Sequence, residues 1–438
     1  MGKTIGIRRE DKNEWERRVP LIPTDLKNLQ QQHAIEFRVQ PSPIRVFTDD
    51  EYRDAGIDVN EDLAAADLVI AVKEIPTDLL RAGKSYLYFS HVIKGQDYNM
   101  AMLQRLLDLG CSLVDYEKIA DEKNRRLIFF SLHAGYAGMI ESLWCLGQRL
   151  LARGITTPLA EVKHAYEYSD LAAAKAHLGE LGERITTEGL PAEFQPLVFG
   201  VAGYGNVAQG CQDLLDCLPV TEIGVAELPT ETARTANSGS ALLKVVFKEE
   251  DIVEPVAPND QFELQDYYQH PEKYRGKFAQ HLPYLDVLMN TIYWDERYPR
   301  LVTKEWAREN YSTDRQARLQ VIGDISCDYE GSIQLTIKPT YPDAPCYVYD
   351  PASDTIADGV EGVGPVIMAV DNLPCELPRE SSEHFSTVLR DMVPGLAGAD
   401  WQADFAALDL PDFLKKAVIV HKGQLTPDYR YLQEFLPS

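Results

Sequence analysis

Short apolar runs alternate with segments of helical periodicity along the first third of the chain. That alternation predicts a parallel sheet with crossing helices. Strand-like runs fall at residues 4–7, 36–39, 68–72, 86–90 and 112–115, and helical patterns at 23–32, 50–55 and 99–109. A longer pattern over about 137–153 spaces Met139, Ile140, Leu143, Trp144, Leu146, Leu150 and Leu151 close to three and four apart, as a helix connecting two domains would. Further strands are expected at 286–292 and 321–326, and a helix at 382–392. Residues 230–274 are charged and irregular, and read as a long insertion or a flap. From about 340 the chain is rich in Pro, Asp and Gly. This last part is too loop-rich to build a core of its own, and is expected to return to the first domain.

Near the middle, the apolar run Val198-Phe199-Gly200-Val201-Ala202 breaks into Gly203-Tyr204-Gly205-Asn206-Val207-Ala208 and continues as a helical pattern. Gly203 suits a tight strand-to-helix turn, Gly205 lets backbone approach a pyrophosphate, and Ala208 lets helix and strand pack closely. The helix N-terminus then attracts the anion. A bare Gly-x-Gly-x-x-Ala match is weak in a chain with 28 glycines; the flanking strand and helix give it meaning. It predicts a Rossmann dinucleotide site contacted by Gly203, Tyr204, Gly205, Asn206 and Val207. About 195 residues precede it, so another domain folds first. A second strand at 223–226 would end at Glu227, an acid placed to accept a ribose 2′-hydroxyl and favour NAD. Arg234 or Lys244 offers a cation for a 2′-phosphate and NADP instead.

The fold class expected is α/β, with two Rossmann-like domains and a cleft between them. Residues 1–139 begin a substrate domain, 140–340 form the inserted dinucleotide-binding domain, and 341–438 complete the substrate domain.

Composition narrows the partners. The 438 residues carry a formal charge of −25, which repels nucleic-acid phosphates and anionic membrane surfaces, so small molecules are the expected ligands. A homo-oligomer is left open. Seven cysteines without a Cys-x-x-Cys pair argue against a disulfide framework or a zinc site, and no other metal-ligand spacing is recognisable. With no apolar leader at the N-terminus, the expected setting is the cytoplasm.

Several charged groups fall at predicted strand ends, where open α/β sheets bind ligands. Arg17 and Arg18 follow the first strand; arginine forks bind carboxylates in pairs. Lys73-Glu74 ends the strand at 68–72, and His91 and Lys94 end the next. A lysine and a histidine at one edge can shift each other's proton affinity toward neutrality, as proton transfer requires. Asp115-Tyr116-Glu117 and Arg125-Arg126 add charges of both signs, and Asp324 and Asp328 close a strand in the second domain. Taken singly, each has an ordinary explanation as a surface salt bridge, a helix cap or a turn.

Arg8-Arg9-Glu10-Asp11-Lys12 with Trp15-Glu16-Arg17-Arg18, then Phe89 to Gln96, Asp115 to Lys118, Gly203 to Val207, Gly323 to Ser326 and Val370-Asp371-Asn372-Leu373-Pro374 occur in one order. This series resembles the lysine-ketoglutarate reductases (saccharopine dehydrogenases, L-lysine-forming), wider relatives of alanine dehydrogenase and transhydrogenase. The resemblance implies reductive condensation of L-lysine with 2-oxoglutarate to saccharopine at a site between the two domains. It also implies that Lys73 and His91 are the acid/base pair, as in the fungal relatives. Arg18 and Arg126 would hold substrate carboxylates, Lys94 and Gln96 would line the substrate site, and Asp324 would lie near substrate or nicotinamide. It slightly favours NADP(H) over NAD(H). In animals and plants this reductase is usually fused to a second dehydrogenase, for which the chain is too short. Three other readings remain: NAD-dependent lysine formation, an opine-type reductase for another amino acid, and a nucleotide sensor without turnover.

Overall fold

The five apolar runs of the first third become parallel strands, with a short sixth at Asp58–Val59, in a computed structural model that describes residues 3–233, 241–312, 314 and 316–437. They are β1 (Lys3–Ile7), β2 (Ile35–Val39), β3 (Asp58–Val59), β4 (Leu68–Ile70), β5 (Ser85–Tyr88) and β6 (Ser112–Asp115). Runs such as Leu68-Val69-Ile70 are apolar at every position because both faces of a parallel sheet are covered. One cover packs Ile5, Ile7, Val39, Leu68 and Leu87, the other Val69, Tyr86, Tyr88 and Leu113.

The second sheet takes in β7 (Leu197–Ala202), β8 (Val220–Glu222), β9 (Leu242–Phe247), β12 (Val287–Asn290), β13 (Val321–Asp324), β14 (Cys346–Asp350), β15 (Thr355–Asp358) and β16 (Val366–Met368); β10 (Val253–Pro255) and β11 (Tyr274–Gly276) form a separate ribbon. Its order is β15-β14-β16-β13-β12-β7-β9-β8, with β14 antiparallel to both its neighbours, β15 and β16, and every other pair parallel. Chain order reverses between β7 and β12, the kind of switch point at which open α/β sheets hold ligands. The chain then returns to the first sheet through β17 (Val418–His421), antiparallel to β6, and β18 (Gln424–Leu425).

Two compact units result, Met1–Phe130 with Pro378–Ser438, and Ser131–Leu377. These boundaries differ from the expected 139/140 and 340/341 for identifiable reasons. The helix expected to connect domains is Ser131–Ala152, and it is core of the second unit. A Cβ on its Gly135 would stand 2.1 Å from the carbonyl oxygen of Val207, and one on Gly210 would stand 2.2 Å from that of Leu132, so the two helix backbones touch. Residues 341–377 do not return to the first domain. They supply β14 to β16, which β16 joins to β13. The irregular stretch 230–274 is neither insertion nor flap throughout, since it contains β9, the neighbour of the glycine-turn strand.

In the first unit, the C-terminal helix Pro378–Leu389 is tied to the N-terminal segment: Ser382 Oγ accepts from Val19 N at 2.9 Å, and Phe385 stacks on Phe130 with centroids 4.7 Å apart. No described helix is long and apolar enough to cross a membrane.

Candidate active site

The parallel order of β1, β4, β5 and β6 brings their carboxyl ends to one edge of the first sheet. Glu10, just past β1, is buried; its two oxygens accept from Val72 N (2.7 Å) and Lys73 N (3.0 Å) and fix the backbone from which Lys73 projects. Burial, then the neighbouring Glu16, push its carboxyl up to about 8, against these two bonds and Arg8. The Lys73 amine makes no hydrogen bond or ion pair among the described residues.

His91, just past β5, holds a left-handed φ of 52°, uncommon for a residue with a side chain. Asp115 shapes this turn: it accepts from Ser90 N at 3.2 Å, from the Ser90 hydroxyl, and from Glu117 N at 2.8 Å. Burial raises the Asp115 carboxyl to about 6, although those bonds oppose it. The Nδ1 atom of His91 lies 2.5 Å from Glu74 Oε1, and Lys12 Nζ lies 3.0 Å from Glu74 Oε2. Burial alone would raise Glu74; the hydrogen bond and charge of His91, aided by Lys12, outweigh it and hold the carboxyl down at about 2. His91 therefore meets the carboxylate of Glu74. Glu10, Lys12 and Glu74 had no assigned part in the reading of the sequence. Their signal was present in Arg8 to Lys12 and in the Lys73-Glu74 pair, but only folding puts them beside His91 and Lys73.

The two arginines differ. Arg18 is buried, and its Nε and Nη2 donate to Glu16 at 2.7 and 2.6 Å while its guanidinium lies over the Phe130 ring. Arg126 has a side chain 40% exposed and donates to Glu117 at 2.6 Å. Lys94 is exposed, as is Gln96 at the start of the helix Asp97–Asp108, where its Oε1 accepts from Tyr98 Oη at 3.1 Å.

In the second unit the glycine turn has the geometry a pyrophosphate needs. Gly203 adopts φ 109°, and a Cβ there would stand 2.7 Å from Thr291 Oγ1. Gly205 opens the helix Asn206–Leu215, with Val207 in its first turn, and a Cβ on Gly205 would meet nothing within 4 Å. Open space before an amide-presenting helix end suits an anion. A cavity of about 510 Å³ runs from Gly203, Tyr204 and Gly205 past Thr291 and Ile292 to Glu249 and Tyr268. This cradle fits a dinucleotide.

Three expectations in this unit change. Glu227 does not end a strand next to β7. The strand is β8, ending at Glu222 on the sheet edge, and Glu227 accepts from Gly224 N at 2.7 Å. Lys244 is no phosphate ligand, because its amine is held by Asp216 (2.7 Å) and Glu222 (3.1 Å); burial lowers its proton affinity, and these carboxylates more than restore it. Arg234 lies outside the described residues. Asp324 ends β13 fully buried, accepting from Asn290 Nδ2 (2.7 Å), Ser326 Oγ (2.8 Å) and Thr336 Oγ1 (2.6 Å), an internal network with no opening toward a ligand. Its carboxyl is raised by burial against the pull of those bonds.

Two family models match the chain: alanine dehydrogenase/PNT, N-terminal domain, over residues 6–137, and alanine dehydrogenase/PNT, C-terminal domain, over 223–428. The alpha-aminoadipic semialdehyde synthase of Arabidopsis thaliana is 35% identical over 451 residues, covering 99% of this chain and 42% of its own length. The chain thus spans less than half of that curated relative. Saccharopine dehydrogenase [NAD(+), L-lysine-forming] of Neurospora crassa is 26% identical, covering 92% of this chain and 93% of that one. Among solved structures, an L-alanine dehydrogenase superposes with TM-score 0.63 at 17% identity, over 99% of this chain and 98% of the other, and shares the fold.

Proposed function

The chain belongs to the alanine dehydrogenase/PNT family, and from that premise we propose that it is a lysine-ketoglutarate reductase. It would condense the ε-amine of L-lysine with 2-oxoglutarate and reduce the imine to saccharopine, reversibly. The observation that carries this reading is the edge of the first sheet, where Lys73 leaves β4 on a backbone fixed by Glu10 and His91 leaves β5 against Glu74. The similarity to a saccharopine dehydrogenase supports it.

The reaction needs three kinds of help. The substrate ammonium must lose a proton before it attacks the keto carbon, and the carbinolamine hydroxyl must gain one to leave as water. Lys73 and His91 are groups of the right type for both transfers. Glu74 on Nδ1 leaves Nε2 of His91 as the nitrogen that exchanges a proton. The multiply charged substrates also need cations inside a protein of charge −25. We place a substrate carboxylate on Arg126, whose side chain is partly exposed, rather than on Arg18, whose fork is closed by Glu16. Lys94 and Gln96 complete the polar lining. A bound pyridine nucleotide supplies the hydride, and Gly203 to Val207 would hold its pyrophosphate. Asp324 holds the end of β12 through Asn290. Seven cysteines standing as free thiols fit a reducing setting.

The test is nucleotide oxidation followed by absorbance with lysine and 2-oxoglutarate, in wild type, Lys73→Met and His91→Met. Each variant should lose a factor of roughly 100 or more in turnover while nucleotide binding is retained. Near-normal turnover in both removes the acid/base assignment, and no lysine-dependent oxidation in wild type removes the reductase reading.

A further inference from the structure

Resting on the reading as a lysine-ketoglutarate reductase, we propose that Tyr431 and Phe435 are positioning residues for His91. From the C-terminal segment they hold the turn that follows it, and so fix where the imidazole stands. The turn needs outside support. His91 takes a left-handed φ of 52°, and four residues on Gly95 takes φ 64° while its N donates to Val92 O at 2.9 Å. Left-handed backbone at a residue with a side chain persists only where the surroundings over-determine it. Part of that support comes from within the first sheet, through Asp115 on Ser90 and through Asn99 Nδ2, which donates to His91 O at 3.3 Å.

The segment Pro427–Phe435 supplies the rest. Tyr431 Oη donates to Ile93 O at 2.6 Å, in the middle of the turn. The Phe435 ring lies on Gly95: a Cβ there would stand 2.5 Å from Phe435 Cγ and 2.6 Å from Cδ1, so the ring needs bare glycine backbone to come this close. One bond and one ring thus grip residues 93 and 95, and Gly95 is buried although Lys94 and Gln96 on either side are exposed.

The root of the segment is anchored elsewhere. Thr426 Oγ1 donates to Val418 O at 2.6 Å, Tyr429 Oη donates to Lys416 O at 2.7 Å, and Leu432 is buried in the cluster of Met100, Met102 and Leu103. Tyr431 and Phe435 themselves remain 44% and 45% exposed, so they add little to the core and their contacts go to the turn. Without that grip the turn samples other conformations, and a displacement of the imidazole by about 1 Å costs up to roughly a hundredfold in rate.

Single-turnover oxidation of NADH and of NADPH with saturating lysine and 2-oxoglutarate tests this, in wild-type and His91→Met backgrounds. In the wild-type background Tyr431→Phe, which removes one hydroxyl, should slow the step about fivefold and Phe435→Ala about tenfold or more, with melting temperature and nucleotide affinity kept. Phe435→Tyr, which keeps the ring, should recover most of the loss. In His91→Met the same two substitutions should slow the step by less than about twofold, since the group they position is gone. Amide exchange over residues 92–96, followed by mass spectrometry without substrates, should quicken in both variants. Equal losses in the two backgrounds would make the role merely structural and overturn the inference, as would wild-type rates or unchanged exchange in both folded variants; the reductase reading survives each of these. Wild type without lysine-dependent oxidation removes the reading and the inference together. If Phe435→Ala does not fold, Tyr431→Phe decides alone.

Discussion

Two glycines two residues apart should respond to substitution in opposite ways, because one is constrained by packing and the other faces open space. Gly203→Ala places a Cβ 2.7 Å from Thr291 Oγ1 and 3.2 Å from Ile292 Cγ2, at a φ of 109°. The conformation costs about 1–3 kcal/mol for a residue with a side chain. Thr291 cannot turn aside freely, since its hydroxyl donates to Ala202 O at 2.6 Å, and losing that bond costs about 1 kcal/mol more. The sum, about 2–4 kcal/mol, lowers the melting temperature by roughly 4–16 °C for a unit of this size. Gly205→Ser meets nothing within 4 Å at an ordinary φ of −78°. Serine is a better N-cap than glycine by a few tenths of a kcal/mol, so stability should hold or rise slightly. Its side chain nevertheless fills the space reserved for the pyrophosphate, and nucleotide affinity should fall at least tenfold. Calorimetric melting of both variants, with NADH titrations at a temperature where each is folded, checks the pair. Wild-type affinity in Gly205→Ser would refute the phosphate assignment. A wild-type melting temperature in Gly203→Ala would refute the packing argument.

Glu74→Gln should destabilise the first unit by an amount that depends on pH. The folded carboxyl at about 2 lies below its ordinary value of 4.5, so its stabilisation is present above pH 4.5 and is lost as pH falls toward 2. The difference from wild type, of order 3 kcal/mol at pH 7 by linkage, should shrink by more than half at pH 3 in urea denaturation. An equal difference at both pH values would mean that the ion pair does not form. Glu376 presents the reverse case. It is buried beside Glu141, and burial first, then the charge of Glu141, raise its carboxyl well above 4.5. The folded state keeps a proton that the unfolded state releases, so wild type loses stability as pH climbs above about 4.5. Glu376→Gln should remove that loss, gaining on wild type between pH 5 and 8; a constant gap across that range would contradict it. Gly135→Ala, with its Cβ 2.1 Å from Val207 O, should prevent the two helix backbones from touching and abolish a cooperative melt of the second unit.

Much of this protein was fixed locally. Continuous apolar runs such as Leu68-Val69-Ile70 can only be doubly covered strands, and Gly203-Tyr204-Gly205 after an apolar run can turn only where backbone freedom and a helix N-terminus coincide. Those features, and Lys73 and His91 at strand ends, depend on a few neighbouring residues and are legible from them. Strand order was not legible, because it is decided by which apolar faces pack together across tens of residues. Only the fold set β9 beside β7 and kept 341–377 within the second sheet. Side-chain pairing was equally hidden. Arg18 and Asp324 carry the charge a site needs, yet tertiary contacts tie one to Glu16 and the other to Asn290, Ser326 and Thr336. Sequence determines which groups exist and which local turns they occupy; burial and the competition among hydrogen-bond partners decide which of them remain available to a ligand.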